Sequence, residues 1–403
     1  VIYYVSATDF IGEGLISMAD DFIVFGAPDL HQEEIDEVVD SIKSRWLGTG
    51  PKVARFEKAF ADYKKVNEKQ LAALNSCTAA LHVSMIAAGI KSGDEVITTA
   101  MTFCATINAI IHAGGTPVPV DIDPESYNLS PDEIEKHITP RTRAIVPVHF
   151  AGRPCDMDAI MDIASRYNLI VIEDCAHAIE AEYKGKKVGT FGDFGCFSFY
   201  VTKNITTGEG GMVIAKDEEN TARIKTLALH GMSKDAWRRF SDFGYKHYQV
   251  IECGFKYNMM DIQAAIGIHQ LARIEESALQ RQSIWNHYQE AFADLPLILP
   301  AAPEADTRHA YHLFTIMIDQ ERCDISRDAF LDYMNTQNIG TGVHYLSVAE
   351  HPYYQHRFGW RPDDYPVAMR TGRQTVSLPL SGQLKDQDIS RIINAVRRII
   401  KPI

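Results

Sequence analysis

The chain has 403 residues, 46% of them apolar, with 40 Lys and Arg against 53 Asp and Glu and a net charge of −13. At roughly 100–200 residues per domain this length gives two or three domains, and the apolar share excludes a disordered chain. The acidic balance speaks against a nucleic-acid partner or an anionic membrane, either of which needs a basic face, but leaves room for a local basic pocket.

Residues 1–24 carry Asp9, Glu13, Asp20 and Asp21 and no basic residue. They fit no signal peptide, so a cytoplasmic location is expected. Further on, LAALN (71–75) predicts a buried strand leading into a helix from about Thr78 to Ile90. DEVITTA (94–100), a helix over 105–112 and TPVPVDI (116–122) follow. Ser130-Pro-Asp-Glu133 has the pattern of a capping box with Pro at the first helical position, opening a helix over 131–138. AIVPVHF (144–150), a helix over 156–167 and LIVIED (169–174) form a βαβ unit. These strands are continuously apolar rather than alternating, as in a parallel sheet covered on both faces. The ligand of such a sheet lies beyond the C-terminal strand ends.

After residue 258 the pattern changes to one or two long helices with no Pro until 296. A strand (YHLFTIMI), a helix (326–337), a short strand (GVHY), a helix near 364–372, a strand (TVSLPL) and a helix (386–400) complete the chain. The expected organisation is an N-terminal extension (1–24), a large α/β domain with a mainly parallel sheet between helices (25–265), and a smaller C-terminal α+β domain (266–403). No apolar run reaches the ~20 residues of a membrane-spanning helix. The seven cysteines are odd in number and scattered, with no CxxC pair. They predict neither a disulfide framework nor a metal site.

Three predicted strand ends carry polar residues. LIVIED ends in Glu173-Asp174, followed by His177. LAALN ends in Ser76-Cys77-Thr78. FSFY ends near Lys203, with TTGEGG beyond it. Taken singly, Lys203 reads as a solvated lysine, Asp174 as a helix cap, and Ser76 and Thr78 as caps or an anion site. His177 alone reads as a structural histidine. Together they have a chemical logic. A buried acid holds a heteroaromatic nitrogen protonated, a helix start binds phosphate, and a lysine of depressed pKa bonds to an aldehyde. Those are the demands of pyridoxal 5'-phosphate.

The sequence VIEDCAHAIEAEYKGKKVGTFGDFGCFSFYVTKNITTGEGGMV, with GYKHYQVIECGFKYNMMDIQAAIG, WLGTGP (46–51), NSCTAALH (75–82) and GTGVHY (340–345), resembles the DegT/StrS family of sugar aminotransferases. These are fold-type I pyridoxal-phosphate enzymes acting on keto-sugars linked to nucleotides. The resemblance runs from about residue 25 to the C-terminus. It implies that Lys203 carries the cofactor covalently and that Asp174 pairs with the pyridine nitrogen. It sets His177 near the ring and its 3-hydroxyl, and Phe103 stacked on the ring, although by itself Phe103 would read as a core residue. Cys77 (through its backbone), Thr78 and Ser198 match phosphate ligands, and Asn258 matches one supplied by a neighbouring subunit, which implies a homodimer with shared sites. His344, Trp46 and Thr49 match the substrate side. Val201 stands where relatives often have Pro.

The resemblance further implies an amino donor, L-glutamate, and an acceptor keto-sugar nucleotide. The wording KNIT and LHGMSKDAW leans towards amination at C4 of a 4-keto-6-deoxyhexose, for surface polysaccharide or glycoconjugate synthesis. A dehydratase on the same fold replaces the lysine with His, and Lys203 is present. A cyclitol or other ketone as acceptor stays open, as does a non-catalytic regulator that binds the cofactor, against which the complete catalytic set argues.

Overall fold

The computed structural model describes residues 22–233 and 248–403. Most of the 1–24 extension, part of the LHGMSKDAW stretch and all of GYKH lie outside the described residues. Seven strands form one sheet: β1 (Leu71–Leu74), β2 (Glu95–Thr99), β3 (Thr116–Val120), β4 (Thr142–Val146), β5 (Ile170–Asp174), β8 (Phe194–Ser198) and β9 (Gly211–Ala215). Their order is β1-β9-β8-β5-β4-β2-β3. The pairings of β2, β3, β4, β5 and β8 are parallel, while β9 runs antiparallel between β8 and β1. Two short strands, β6 (Glu182–Tyr183) and β7 (Lys186–Lys187), form a ribbon with β10 (Thr307–Arg308). β11 (Phe314–Met317) pairs with β12 (Thr375–Leu378).

The continuous apolar strands are buried on both faces because successive side chains alternate. Leu71 and Ala73 join Phe56, Phe60 and Ala264, from helices Pro51–Lys64 and Asp261–Ala272. Ala72 and Leu74 join Ala80, Val83 and Ile224, from helices Cys77–Ala87 and Glu218–Leu227. The long helical stretch after residue 258 breaks at Arg273 into two helices, Asp261–Ala272 and Ile274–Phe292. Ile274 packs with the sheet cluster, whereas Ile284, Trp285, Tyr288 and Phe292 pack with β11, β12 and helix Asp386–Ile399.

Two local expectations are corrected. Ser130 precedes helix Pro131–Lys136 but makes no side-chain cap bond, so Pro131, whose fixed φ suits a first turn, marks this start without a capping box. GVHY is not a strand: Gly342 makes only an isolated bridge to Ser377, because the chain turns inward there to present His344. Asn258 precedes helix Asp261–Ala272 without capping it, and its Nδ2 donates to Thr49 Oγ1. The cysteines are all free, five of them buried, with Cys104 half-buried and Cys253 exposed.

Candidate active site

Gly211 explains how three strand ends converge. It pairs with Leu74 of β1 on one side and Ser198 of β8 on the other. A Cβ at this position would lie 2.4 Å from the carbonyl carbon of Ser76 and 2.7 Å from the nitrogen of Cys77. Only glycine lets helix Cys77–Ala87 start so close to the sheet. That start has the chemistry of an anion site. Ser76 caps the helix by accepting from Ala79 N at 3.1 Å, while the first amides, Cys77 and Thr78, have no helical carbonyl to bond. Cys77 is buried and Thr78 exposed at the same turn. Buried Ser198 ends β8 and its Oγ accepts from Tyr200 N at 3.4 Å. Among the described residues its own hydroxyl proton remains available.

Asp174 ends β5 and is buried. Its backbone is locked to the end of β4 by Asp174 N to Pro147 O at 2.8 Å and His149 N to Asp174 O at 3.1 Å. Its carboxylate accepts from Thr106 Oγ1 at 2.8 Å and Ala176 N at 3.1 Å. Burial raises its pKa, and the two donors and the Lys203 charge oppose that rise. Lys203 stands in the turn after β8, fixed by Lys203 N to Tyr200 O at 2.9 Å. Burial pulls its amine down to about 8, with Cys77 and Asp174 pulling the other way. Among the described residues its ammonium has no hydrogen-bond or ion-pair partner.

His177, also buried, accepts from Ala151 N through Nδ1 at 3.3 Å. A neutral ring then carries its proton on Nε2, which faces Tyr345 Oη at 3.0 Å. Burial and the nearby Lys203 charge hold this histidine well below its usual pKa, hence neutral. Phe103 is 56% exposed, which overturns its reading as a core residue, and its ring lies 5.8 Å from that of Tyr345. His344 stacks on Phe25 at 5.3 Å, bonds Ser377 Oγ at 2.8 Å and has its pKa pushed down to about 3 by burial and Lys203.

Trp46, Thr49 and Asn258 form a separate cluster. Trp46 Nε1 donates to Thr49 O at 3.2 Å, and Asn258 Nδ2 to Thr49 Oγ1 at 2.7 Å. Asn258 bridges Leu74, so this cluster adjoins the helix start at Ser76. Among the described residues none of the three bonds to Lys203, Asp174 or His177.

Sequence reading missed Thr106, Tyr345, His312 and Asn204. Thr106 stands three residues after Phe103 on a helix start, and Asn204 directly follows Lys203; those positions were the available signals. Buried Glu173 points away from Asp174. Gly189 N, Phe191 N, Gly192 N and His149 occupy its oxygens, at 2.7–3.2 Å. With Cys175 this is the one group of metal-ligand geometry among the described residues. Its acceptors already serve those donors.

A buried acid, a lysine with no partner among the described residues and a helix start at converging strand ends define a cofactor site that fits pyridoxal phosphate, with an exposed aromatic beside it. The comparisons give the family. Residues 28–397 match the DegT/DnrJ/EryC1/StrS aminotransferase family, and the chain belongs to it. It is 49% identical to the uncharacterized protein MJ1066 of Methanocaldococcus jannaschii, over 93% of this chain and 96% of that one. It is 45% identical to the spore coat polysaccharide biosynthesis protein SpsC of Bacillus subtilis, over 96% and 99%. The candidate sugar aminotransferase Spr1654 of Streptococcus pneumoniae, in its PLP form, superposes with a TM-score of 0.86 at 30% identity, over 94% and 100%. The fold is therefore fold-type I, and the chain is a pyridoxal-phosphate-dependent aminotransferase of a sugar aminotransferase family.

Proposed function

We propose that this enzyme moves an amino group from L-glutamate to C4 of a nucleotide-linked 4-keto-6-deoxyhexose, in the cytoplasm, for surface polysaccharide or glycoconjugate synthesis. One observation carries the site assignment: Lys203, without a partner among the described residues, and Asp174, held by Thr106 and Ala176, stand at adjacent strand ends, Asp174 on β5 and Lys203 just after β8. Similarity to SpsC, a spore coat polysaccharide protein, supports the pathway class.

Bound pyridoxal phosphate supplies an aldehyde for amino exchange and a ring that absorbs negative charge. Lys203 Nζ would hold the cofactor and, as a free amine, would carry the proton taken from the donor's α-carbon. A pKa near 8 suits that work, because an amine close to ambient pH both gives and takes protons. Asp174 holds the pyridine nitrogen protonated, and a cation beside it offsets the rise in its pKa caused by burial. Phe103 would pack on the ring, with His177 at its 3-hydroxyl side. Cys77 N, Thr78 and Ser198 would hold the phosphate. His344, Trp46 and Thr49 would face the sugar.

The functional unit in this reading is a homodimer, with Asn258 donating to the neighbour's phosphate. An exposed apolar stripe supports it. Ile35, Val39, Ile42, Trp46 and Leu47 are 38–56% exposed along and just after helix Gln32–Ser44. Such a contiguous face marks an interface. The test is a screen of the amine-loaded enzyme against 3-keto and 4-keto sugar nucleotides and keto-cyclitols. Turnover of a 4-keto-6-deoxyhexose nucleotide supports the reading. Exclusive use of a cyclitol or a 3-keto sugar overturns it.

A further inference from the structure

Lys203 makes no side-chain bond of its own among the described residues, so something else must fix it. Asn204, the next residue, is tied on every side. Its Nδ2 donates to Glu180 Oε1 and Oε2 at 3.1 and 2.9 Å and to Ala310 O at 2.9 Å. Glu180 and Ala310 O can only accept, so the amide has one orientation. Its Oδ1 then faces His312 Nδ1, at 2.8 Å. An oxygen cannot donate, so His312 Nδ1 must carry the proton and Nε2 a lone pair.

The partners belong to two different parts of the molecule. Glu180 is fully buried and pairs with buried Arg281 on helix Ile274–Phe292. Ala310 N and His312 N donate to Gly152 O and Ala151 O at 2.8 and 3.0 Å. Ala151 N in turn bonds His177. The His312 ring lies 4.4 Å from that of His177.

We infer that Asn204 is the positioning residue of Lys203: its amide pins the lysine turn to Glu180, Ala310 and His312 and locks His312 in the Nδ1–H tautomer. Burial and the Lys203 charge keep His312 neutral, which the tautomer lock requires. The lock ties Lys203 to the helix that carries Arg281, and through Ala151 to His177. A misplaced turn would leave substrate binding largely intact and slow the chemistry. The inference rests on the assignment of Lys203 above, but the tautomer does not.

The test begins with the cofactor-free protein labelled with ¹⁵N-histidine, assigning His312 by its loss in His312→Phe. The expected pattern is a protonated Nδ1 and a bare Nε2, changing to a tautomer mixture in Asn204→Ala. In the loaded enzyme Asn204→Ala should lower kcat by about 10–100-fold, as displacing a catalytic group does, with KM changed less than about threefold. Asn204→Asp sets two carboxylates together and should be as impaired. The double variant Asn204→Asp with Glu180→Gln restores a donor–acceptor pair and should recover most of that loss. A proton on His312 Nε2 in the wild type, or Asn204→Ala with unaltered kcat, overturns the proposal. Failure of the double variant to exceed Asn204→Asp also overturns it. If the wild type never takes up pyridoxal phosphate, the functional reading fails, and the tautomer result stands alone.

Discussion

Thr106 Oγ1 donates to Asp174 Oδ2 at 2.8 Å, in a place where both residues are buried. Thr102 Oγ1 stands 2.8 Å behind it. Because the Thr106 proton goes to the carboxylate, Thr102 must donate to Thr106. The pair is a short donor chain that favours ionised Asp174. A hydrogen bond to a charged group contributes about 1.5–3 kcal/mol. Thr106→Val keeps the shape and removes that donor. It should slow the glutamate half-reaction by about 10–100-fold while the protein still folds. Stopped-flow absorbance of the loaded enzyme measures it. An unchanged rate would show that Thr106 only fills space.

Asp174→Asn removes the charge and nearly keeps the volume. The loss should be larger than for Thr106→Val, about 10²–10³-fold, the usual cost of deleting a preorganised electrostatic partner. Cofactor should still bind. Near-wild-type turnover would mean another residue serves the ring nitrogen.

Lys203→Ala should reduce turnover by at least about 10²–10⁴-fold, the share a positioned acid–base group supplies. Borohydride reduction of the loaded wild type, followed by peptide mapping, should place the label on Lys203. Buried Lys64 is the control: its Nζ is bound by Ile179 O and Val188 O at 2.7 and 3.0 Å. A label on any lysine but Lys203 sinks the assignment.

The lowered pKa of Lys203 also predicts a pH dependence. Only the neutral amine attacks an aldehyde, and the neutral fraction grows as pH rises through the pKa. Capture of pyridoxal phosphate by the cofactor-free protein should therefore accelerate with pH and level off above about 8. An inflection near 10.5, the ordinary lysine value, would show that burial does not depress this amine.

Much of this site was legible because its residues fall at strand ends, where apolar runs stop. Asp174 and Lys203 each interrupt such a run, and Ser76 opens a helix. What was not legible depends on distance along the chain. Thr106 meets Asp174 across 68 residues, and Asn204 meets His312 across 108. Nothing in their local patterns records those contacts. The antiparallel β9 was hidden for a related reason: its apolar run GMVIA is as continuous as a parallel strand, and direction is set by the return from the Lys203 turn. The Ser130 box failed because the motif states only that a cap bond is available.

Asn258 supplies the last prediction, since its present bonds leave a role open. Its Oδ1 accepts from Lys256 Nζ at 2.6 Å and its Nδ2 donates to Thr49. An amide nitrogen has two protons, so one remains for a phosphate on a neighbouring subunit. A bond to that charged acceptor contributes about 1.5–3 kcal/mol. Asn258→Ala should then weaken cofactor binding by roughly 10–100-fold. A purely local role, holding the Thr49 loop, would also weaken the protein, so affinity alone does not decide. Mixing Asn258→Ala with Lys203→Ala subunits does. If Asn258 acts across the interface, each mixed dimer pairs the wild-type Asn258 of one subunit with the wild-type Lys203 of the other and regains one complete site. Activity should rise towards a quarter of the wild type's at equal mixing, since about half the dimers are mixed and each has one of two sites. Val39→Asp with Ile42→Asp, placed on the exposed apolar stripe, should abolish that recovery by keeping the subunits apart. If mixing restores nothing while the subunits demonstrably exchange, Asn258 serves its own chain and the site is not shared.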